Sequence, residues 1–336
     1  MKQINKKDKN YGIAILRVLL SYMVVIDHFY NKKIKKKYKH ILYYHIPTFF
    51  LISFYYTHKT FATFNIDKIK LRFQRLVIPY IMWNLIAFLL NNIYYFIAGK
   101  ECIHTIKDFF ITLLYGNMLI VPLWFQNILI FTSIVITIIT LYFKNIYLLI
   151  FQILIIISFN LQYTGENYNF FHSNFPIIFS YTYGRFIDTL PHSLTGFFIG
   201  IFNIPNKLNN YKCRTIISGI LIILFISKYN WDKNLLGFKY GGTRLNIAAI
   251  FIFLIFFSFP IISNKKIKKF FDIFSNYTAG IYFVHYLIGR GYIVKFILSN
   301  KIETLYGCLI LYIISYCVCF LLDKIIGNTH LKHLIK

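Results

Sequence analysis

The chain has 336 residues, of which 57% are hydrophobic and 14% charged, and its mean hydropathy of +0.57 excludes an ordinary soluble domain and points to a polytopic membrane protein. Its 37 Lys and Arg outweigh 11 Asp and Glu, for a net charge of +26. The basic residues fall in short clusters between apolar runs, where they set topology and meet anionic lipid rather than nucleic acid.

Behind a basic tail (Lys2, Lys6, Lys7, Lys9) comes the first apolar run, YGIAILRVLLSYMVVIDHFY, from Tyr11 to Tyr30. It is long enough to cross a hydrocarbon core as a helix. It is too long for a signal-peptide core, and no small-residue cleavage site follows it, so no cleavable signal is expected. Arg17, Asp27 and His28 lie inside it. Ionisable groups are costly in lipid, so they are expected to face a bundle interior or a wet cavity. Arg17 and His28 are eleven residues apart. On a helix they share one stripe, roughly 16 Å apart along the axis, with Asp27 about a quarter-turn away.

A strongly basic segment, NKKIKKKYKH at 31–40, follows. Further spans are expected near 43–62, 76–98, 123–143, 145–161, 187–203, 214–228, 243–263, 277–298 and 305–326, with 108–121 as a half-span or interfacial helix. The fifth to seventh are short, which invites tilt or a re-entrant path. The fold class is therefore all-α, about ten transmembrane helices in one bundle forming a single domain over 1–336, with no fused soluble domain. Inner loops carry more Lys and Arg than outer ones if the N-terminus is cytoplasmic; the margin is narrow and widens once 31–40 is set aside. No internal repeat is visible, which counts against a transporter built from inverted halves. Cys102, Cys213, Cys308, Cys317 and Cys319 include no CxxC pair, so no disulfide framework or metal site is expected.

Five stretches bear on chemistry. HIPTFFLISFYYT (45–57) is aromatic-rich, and structure alone suffices to explain it. In IDKIKLRFQRLVIPYIMW, Arg72 and Arg75 are three apart at the mouth of the third span. That spacing puts two guanidiniums on one helix face, suited to phosphate, with ordinary positive-inside anchoring as the competing reading. Trp124, in PLWFQNIL, reads as an interfacial belt anchor. Asp188 and His192 are four apart and read as a structural pair. In FSNYTAGIYFVHYLIGRGY (274–292), His285 lies inside an apolar span with Tyr282 one turn before it and Arg290 about a turn and a half after. An intramembrane histidine is a functional candidate, a helix-to-helix hydrogen bond being the plainer alternative.

Taken together and in order, these stretches resemble the membrane-bound acyltransferase-3 family of bacterial O-acyltransferases. LRVLLSYMVVIDHF is similar to that family's first span, with Arg17 and His28 at its spacing. RFQR at Arg72 to Arg75, LWF at 123–125, SLTGFFIG at 193–200 and IYFVH at 281–285 resemble further family motifs. Two positions depart: Phe54 stands where the family's Ser-Gly pair has glycine, and Thr278-Ala279 replaces Ser-Tyr at the start of the late motif.

The resemblance implies transfer of an acyl group, usually acetyl, from cytoplasmic acetyl-CoA to a hydroxyl of a surface or envelope polysaccharide or lipid-linked saccharide. The location it implies is the bacterial inner membrane. Carried over, His28 and Arg17 are the catalytic candidates, and Arg72, Arg75, His285 and Tyr282 bind the donor or position the substrates. No metal and no nucleic acid are involved. His28 then acts as general base, a covalent acyl-imidazole being a variant. The competing readings are an exporter or flippase of polysaccharide intermediates, and a non-catalytic sensor or assembly partner.

Overall fold

The computed structural model describes residues 10–30, 43–97, 99, 105–116, 123–164, 177–207, 216–220, 242–258, 264–290 and 304–327. It is 90% helical without strands, so among the described residues no open sheet edge meets lipid. In chain order the helices are α1 (Tyr11–Phe29), α2 (His45–Ala62), α3 (Ile66–Ile97), α4 (Ile106–Tyr115), α5 (Leu123–Tyr142) and α6 (Tyr147–Thr164). Then come α7 (Ile177–Ile201), α8 (Ile204–Lys207), α9 (Thr243–Phe257), α10 (Lys265–Asn276), α11 (Thr278–Arg290) and α12 (Leu305–Ile326).

By length and composition α1, α3, α5 and α12 can each cross a membrane, while α9 and most of α6 are apolar but shorter. Helices α2 and α7 carry more polar groups and lie inside. Thr48 on α2 and Thr189, His192 and Ser193 on α7 are fully buried. A helix walled off from lipid by its neighbours does not need an unbroken apolar surface, which is why these two read less clearly as spans.

Four boundaries differ from expectation. Helix α3 starts at Ile66, carrying Arg72 and Arg75 into its own body. Helix α7 starts at Ile177, ten residues before the expected 187, and so takes in Arg185. Helix α10 fills what was expected to be a connection. Helix α4 settles the ambiguous 108–121 stretch: Thr105 and Asp108 close a capping box at its start, and Gly116 ends it at φ 74°, a left-handed value glycine adopts freely. The basic 31–40 segment and most of 214–228 lie outside the described residues.

Two prolines sit inside helices beyond the first turn, Pro79 and Pro191, and the gap that Pro191 leaves is answered by a glutamine. Pro191 in α7 has no N–H to give the carbonyl one turn back, that of Ile187. Gln162 of α6 donates to that carbonyl at 2.7 Å, and its Oε1 accepts from the Gly242 N–H at 2.7 Å. In α3 the carbonyl Pro79 cannot serve is that of Arg75, and Gln126 of α5 donates to its neighbour, the Leu76 carbonyl, at 2.8 Å. Lipid supplies no donors, so broken helix ladders must be repaired from neighbouring helices.

The closest helix contact joins α2 to α7. A Cβ on Gly196 would run into the Leu51 carbonyl, and one on Gly200 into the His58 ring. The four-residue glycine spacing of GFFIG thus lets two backbones meet. Between helices already in lipid there is little hydrophobic driving force, so close packing and internal hydrogen bonds hold the pair.

Candidate active site

Helices α1 and α11 run side by side in the same direction and touch at two levels. At the lower level Arg17 Nη2 donates to Thr278 Oγ1 at 2.8 Å. At the upper level the His28 ring lies 5.4 Å from the His285 ring, with planes 34° apart, and 5.5 Å from Tyr286, edge-on. Arg17 and His28 therefore share one stripe, and both turn toward α11 rather than outward. Thr278, where the family has serine, supplies the hydroxyl that accepts from Arg17.

His285 is fully buried. Its Nδ1 lies 2.8 Å from the Ile281 carbonyl, an oxygen that can only accept, so Nδ1 carries the proton in this contact. Its Nε2 is buried and makes no hydrogen bond among the described residues. In the neutral ring that nitrogen is a lone-pair acceptor. Gly289 permits the close approach: a Cβ there would collide with the Phe29 ring, whose centroid is 6.2 Å from that of His285.

Tyr282 is buried one turn before His285, its ring 5.2 Å from Phe125 of α5 and 6.3 Å from His285. It lies within electrostatic reach of Arg185 from α7 and Asp27 from α1. Arg185 in turn lies over the Trp124 indole, 4.1 Å from the ring centroid. Trp124 is 3% exposed. It is an interior platform for a cation rather than the belt anchor its sequence suggested.

Arg72 and Arg75 part company. The Arg72 guanidinium turns inward, Nε donating to Ser133 at 3.1 Å and Nη2 to Ser53 at 3.2 Å. It lies over Phe54 and Phe61, at 4.9 and 5.4 Å from their centroids. Phe54, the departure from the family's glycine, thus forms one wall of the arginine cradle. Arg75 stays exposed. The cradle lies toward the end of the bundle where α1 begins. Two residues beyond Ser53, Tyr55 packs on Phe253 and Phe257 at 4.8 and 5.5 Å, and the Phe257 carbonyl accepts from Asn10 at 2.9 Å. Along α5, Ser133 is eight residues from Phe125, about 12 Å at the helical rise. Arg17 and Arg72 thus lie toward one end and the two histidines toward the other, where Arg185 also sits.

The family model of the acyltransferase-3 family, described as an acyltransferase domain, matches residues 10–324. The chain belongs to the acyltransferase-3 family. It is accordingly a multi-pass membrane acyltransferase. No curated protein and no solved structure gives a significant match to this acyltransferase.

Of the sequence candidates, Arg17, His28, Tyr282 and His285 come together along the α1–α11 seam, whereas Arg72 lies in a separate cradle between α2, α3 and α5. His192 is engaged elsewhere: its Nδ1 donates to Asn246 Oδ1 at 2.9 Å, which ties α7 to α9. Sequence reasoning missed Arg185 and Tyr286. The signal for Arg185 was present, a lone cation in an aromatic stretch, but the expected span began two residues beyond it.

Proposed function

We propose that this acyltransferase moves an acyl group, in the first place acetyl, from cytoplasmic acetyl-CoA to a hydroxyl of a cell-surface or envelope polysaccharide. The observation that carries this reading is the facing pair of His28 and His285, with a buried imidazole nitrogen, above a guanidinium on the same stripe. Arg72, toward the end where α1 begins, and the exposed Arg75 supply the planar forks that phosphates of a nucleotide-bearing donor require. The separation of Arg72 and Arg75 from the two histidines suits a donor whose phosphates and thioester lie far apart.

In the proposed reaction a neutral His28 takes the proton of the acceptor hydroxyl as its oxygen attacks the thioester carbonyl. The carbonyl π pair moves onto oxygen, and the resulting charge is met by a positioned hydroxyl, for which Tyr282 beside His285 is the candidate; Arg17, about 16 Å lower on the same stripe, orients the donor. Collapse breaks the C–S bond, and the departing thiolate takes the proton from the imidazolium. The products are an O-acyl ester and the free coenzyme thiol, with no net proton change. Acid–base assistance of this kind typically contributes about 10²- to 10⁴-fold in rate.

Mass spectrometry of surface glycans from cells with and without the gene tests the acceptor class. Loss of an acetyl-bearing species on deletion, restored by the wild-type gene and not by His28→Ala, is the expected result. An unchanged glycan profile would overturn this choice of acceptor.

A further inference from the structure

Helix α10 has no part in the proposed reaction, and its surface is unlike that of any span. Its sequence, KKIKKFFDIFSN, puts four lysines in five residues beside five apolar ones. One side faces the protein. There Lys268 Nζ lies 4.6 Å from the centroid of the Tyr11 ring and Asp272 accepts from the Tyr11 hydroxyl at 3.3 Å; at the edge of the opposite flank Phe274 stacks on Tyr316 at 3.9 Å. The other side is open: Lys266 and Lys269 are exposed, and so are Ile267, Phe270 and Ile273. At about 100° per residue Lys269 lies on one flank of this open arc and Ile267 and Phe270 on the other, with Lys266 and Ile273 between them.

The position of α10 is fixed by three helix ends. The start of α1 bonds to it through Tyr11. The end of α9 is tied to that same start, Asn10 donating to the Phe257 carbonyl at 2.9 Å. Just beyond α10, Tyr277 donates to Asp323 near the end of α12 at 2.7 Å. Since α1 and α12 each have the length and apolarity to cross a membrane, α10 lies at the rim of the bundle, at the depth of lipid headgroups. The lysines do not serve the helix itself, because they crowd its first turns, where the helix dipole disfavours positive charge.

We propose that the open face of α10 is a docking surface for anionic phospholipid headgroups. Lys266 and Lys269 take the headgroup charge while Ile267, Phe270 and Ile273 lie against the acyl-chain boundary. The mixed arc suits that layer: bulk water would leave three large apolar side chains uncovered, and the hydrocarbon core would bury two unpaired ammonium groups. Through Tyr11 the same helix holds the first turn of α1, so the lipid contact bears on the element that carries Arg17 and His28. This inference is independent of the acceptor and of the acyl donor.

The test uses the full chain in nanodiscs of phosphatidylcholine containing a small fraction of labelled phosphatidylglycerol, with the lipid retained by the protein counted. The wild type should enrich phosphatidylglycerol over phosphatidylcholine. Lys266→Gln with Lys269→Gln should weaken that preference roughly 30-fold, a factor of about five for each lysine. Lys266→Arg with Lys269→Arg should keep it. On the unmutated protein, raising the salt to about 1 M should reduce the preference, because the Debye length falls to about 3 Å. Soluble glycerol phosphate should not compete; effective competition would mean a free-phosphate site and overturn the membrane assignment. Equal retention of the two lipids by the wild type, or a preference unmoved by the glutamine pair, would also overturn it.

Discussion

Arg72 is held by two serine hydroxyls and two phenyl rings, whereas Arg75, one helical turn on, faces outward. The two should therefore fail differently. Arg75→Ala should weaken donor binding and leave the thermal midpoint unchanged, since surface substitutions usually stay within about 0.5 kcal/mol. Arg72→Ala should lower both, because it also strands Ser53 and Ser133 beside an empty cradle. Donor titration and thermal unfolding of the two purified variants separate the outcomes, and unaltered donor affinity in Arg75→Ala would return that residue to topology alone. A second residue-scale prediction concerns Thr278, which accepts from Arg17 at 2.8 Å. Thr278→Val removes that acceptor at a cost of about 1 to 3 kcal/mol, and turnover should fall. Thr278→Ser should restore it, and a valine variant as active as wild type would show that the Arg17 contact is dispensable.

Helix α7 depends on repairs made by its neighbours. Gln162→Leu would leave the Ile187 carbonyl beside Pro191 without its donor at 2.7 Å. Interhelical hydrogen bonds in membranes contribute about 0.6 kcal/mol on average and about 1.7 at most. The variant should therefore fold with a thermal midpoint a few degrees lower, and a midpoint equal to wild type would mean that the carbonyl finds another donor. Gly196→Leu is the severe case, because even a Cβ collides with the Leu51 backbone. It should abolish folded protein, as judged by size-exclusion chromatography in detergent. A monodisperse, fully active Gly196→Leu variant would contradict the close α2–α7 contact.

For the molecule as a whole, the sequence made the bundle and the polar residues on each side of the α1–α11 seam legible and left their meeting and other features dark, for identifiable reasons. Arg17 and His28 could be placed on one stripe because a single unbroken helix carries both, and helical periodicity then decides the geometry. His285 stood out because an imidazole in an apolar run is costly. The partners of Tyr282 did not, because Arg185 and Asp27 come from helices distant in the chain, and no local pattern encodes which helices meet. Arg72 and Arg75 looked equivalent from their spacing, and only the serines and phenyl rings of α2 and α5 separate them. Helix α10 was hidden by its lysines, which resemble a loop until the apolar residues between them are seen to share a helix surface.

The account turns on His28 acting beside His285, and purified protein in detergent tests that most directly. Wild-type protein supplied with labelled acetyl-CoA and a glycan extract should transfer label without any closed membrane. His28→Ala, folded to the same thermal midpoint, should lose at least about 100-fold of that rate. Undiminished transfer by His28→Ala would contradict the assignment of the α1–α11 seam as the site of acyl transfer.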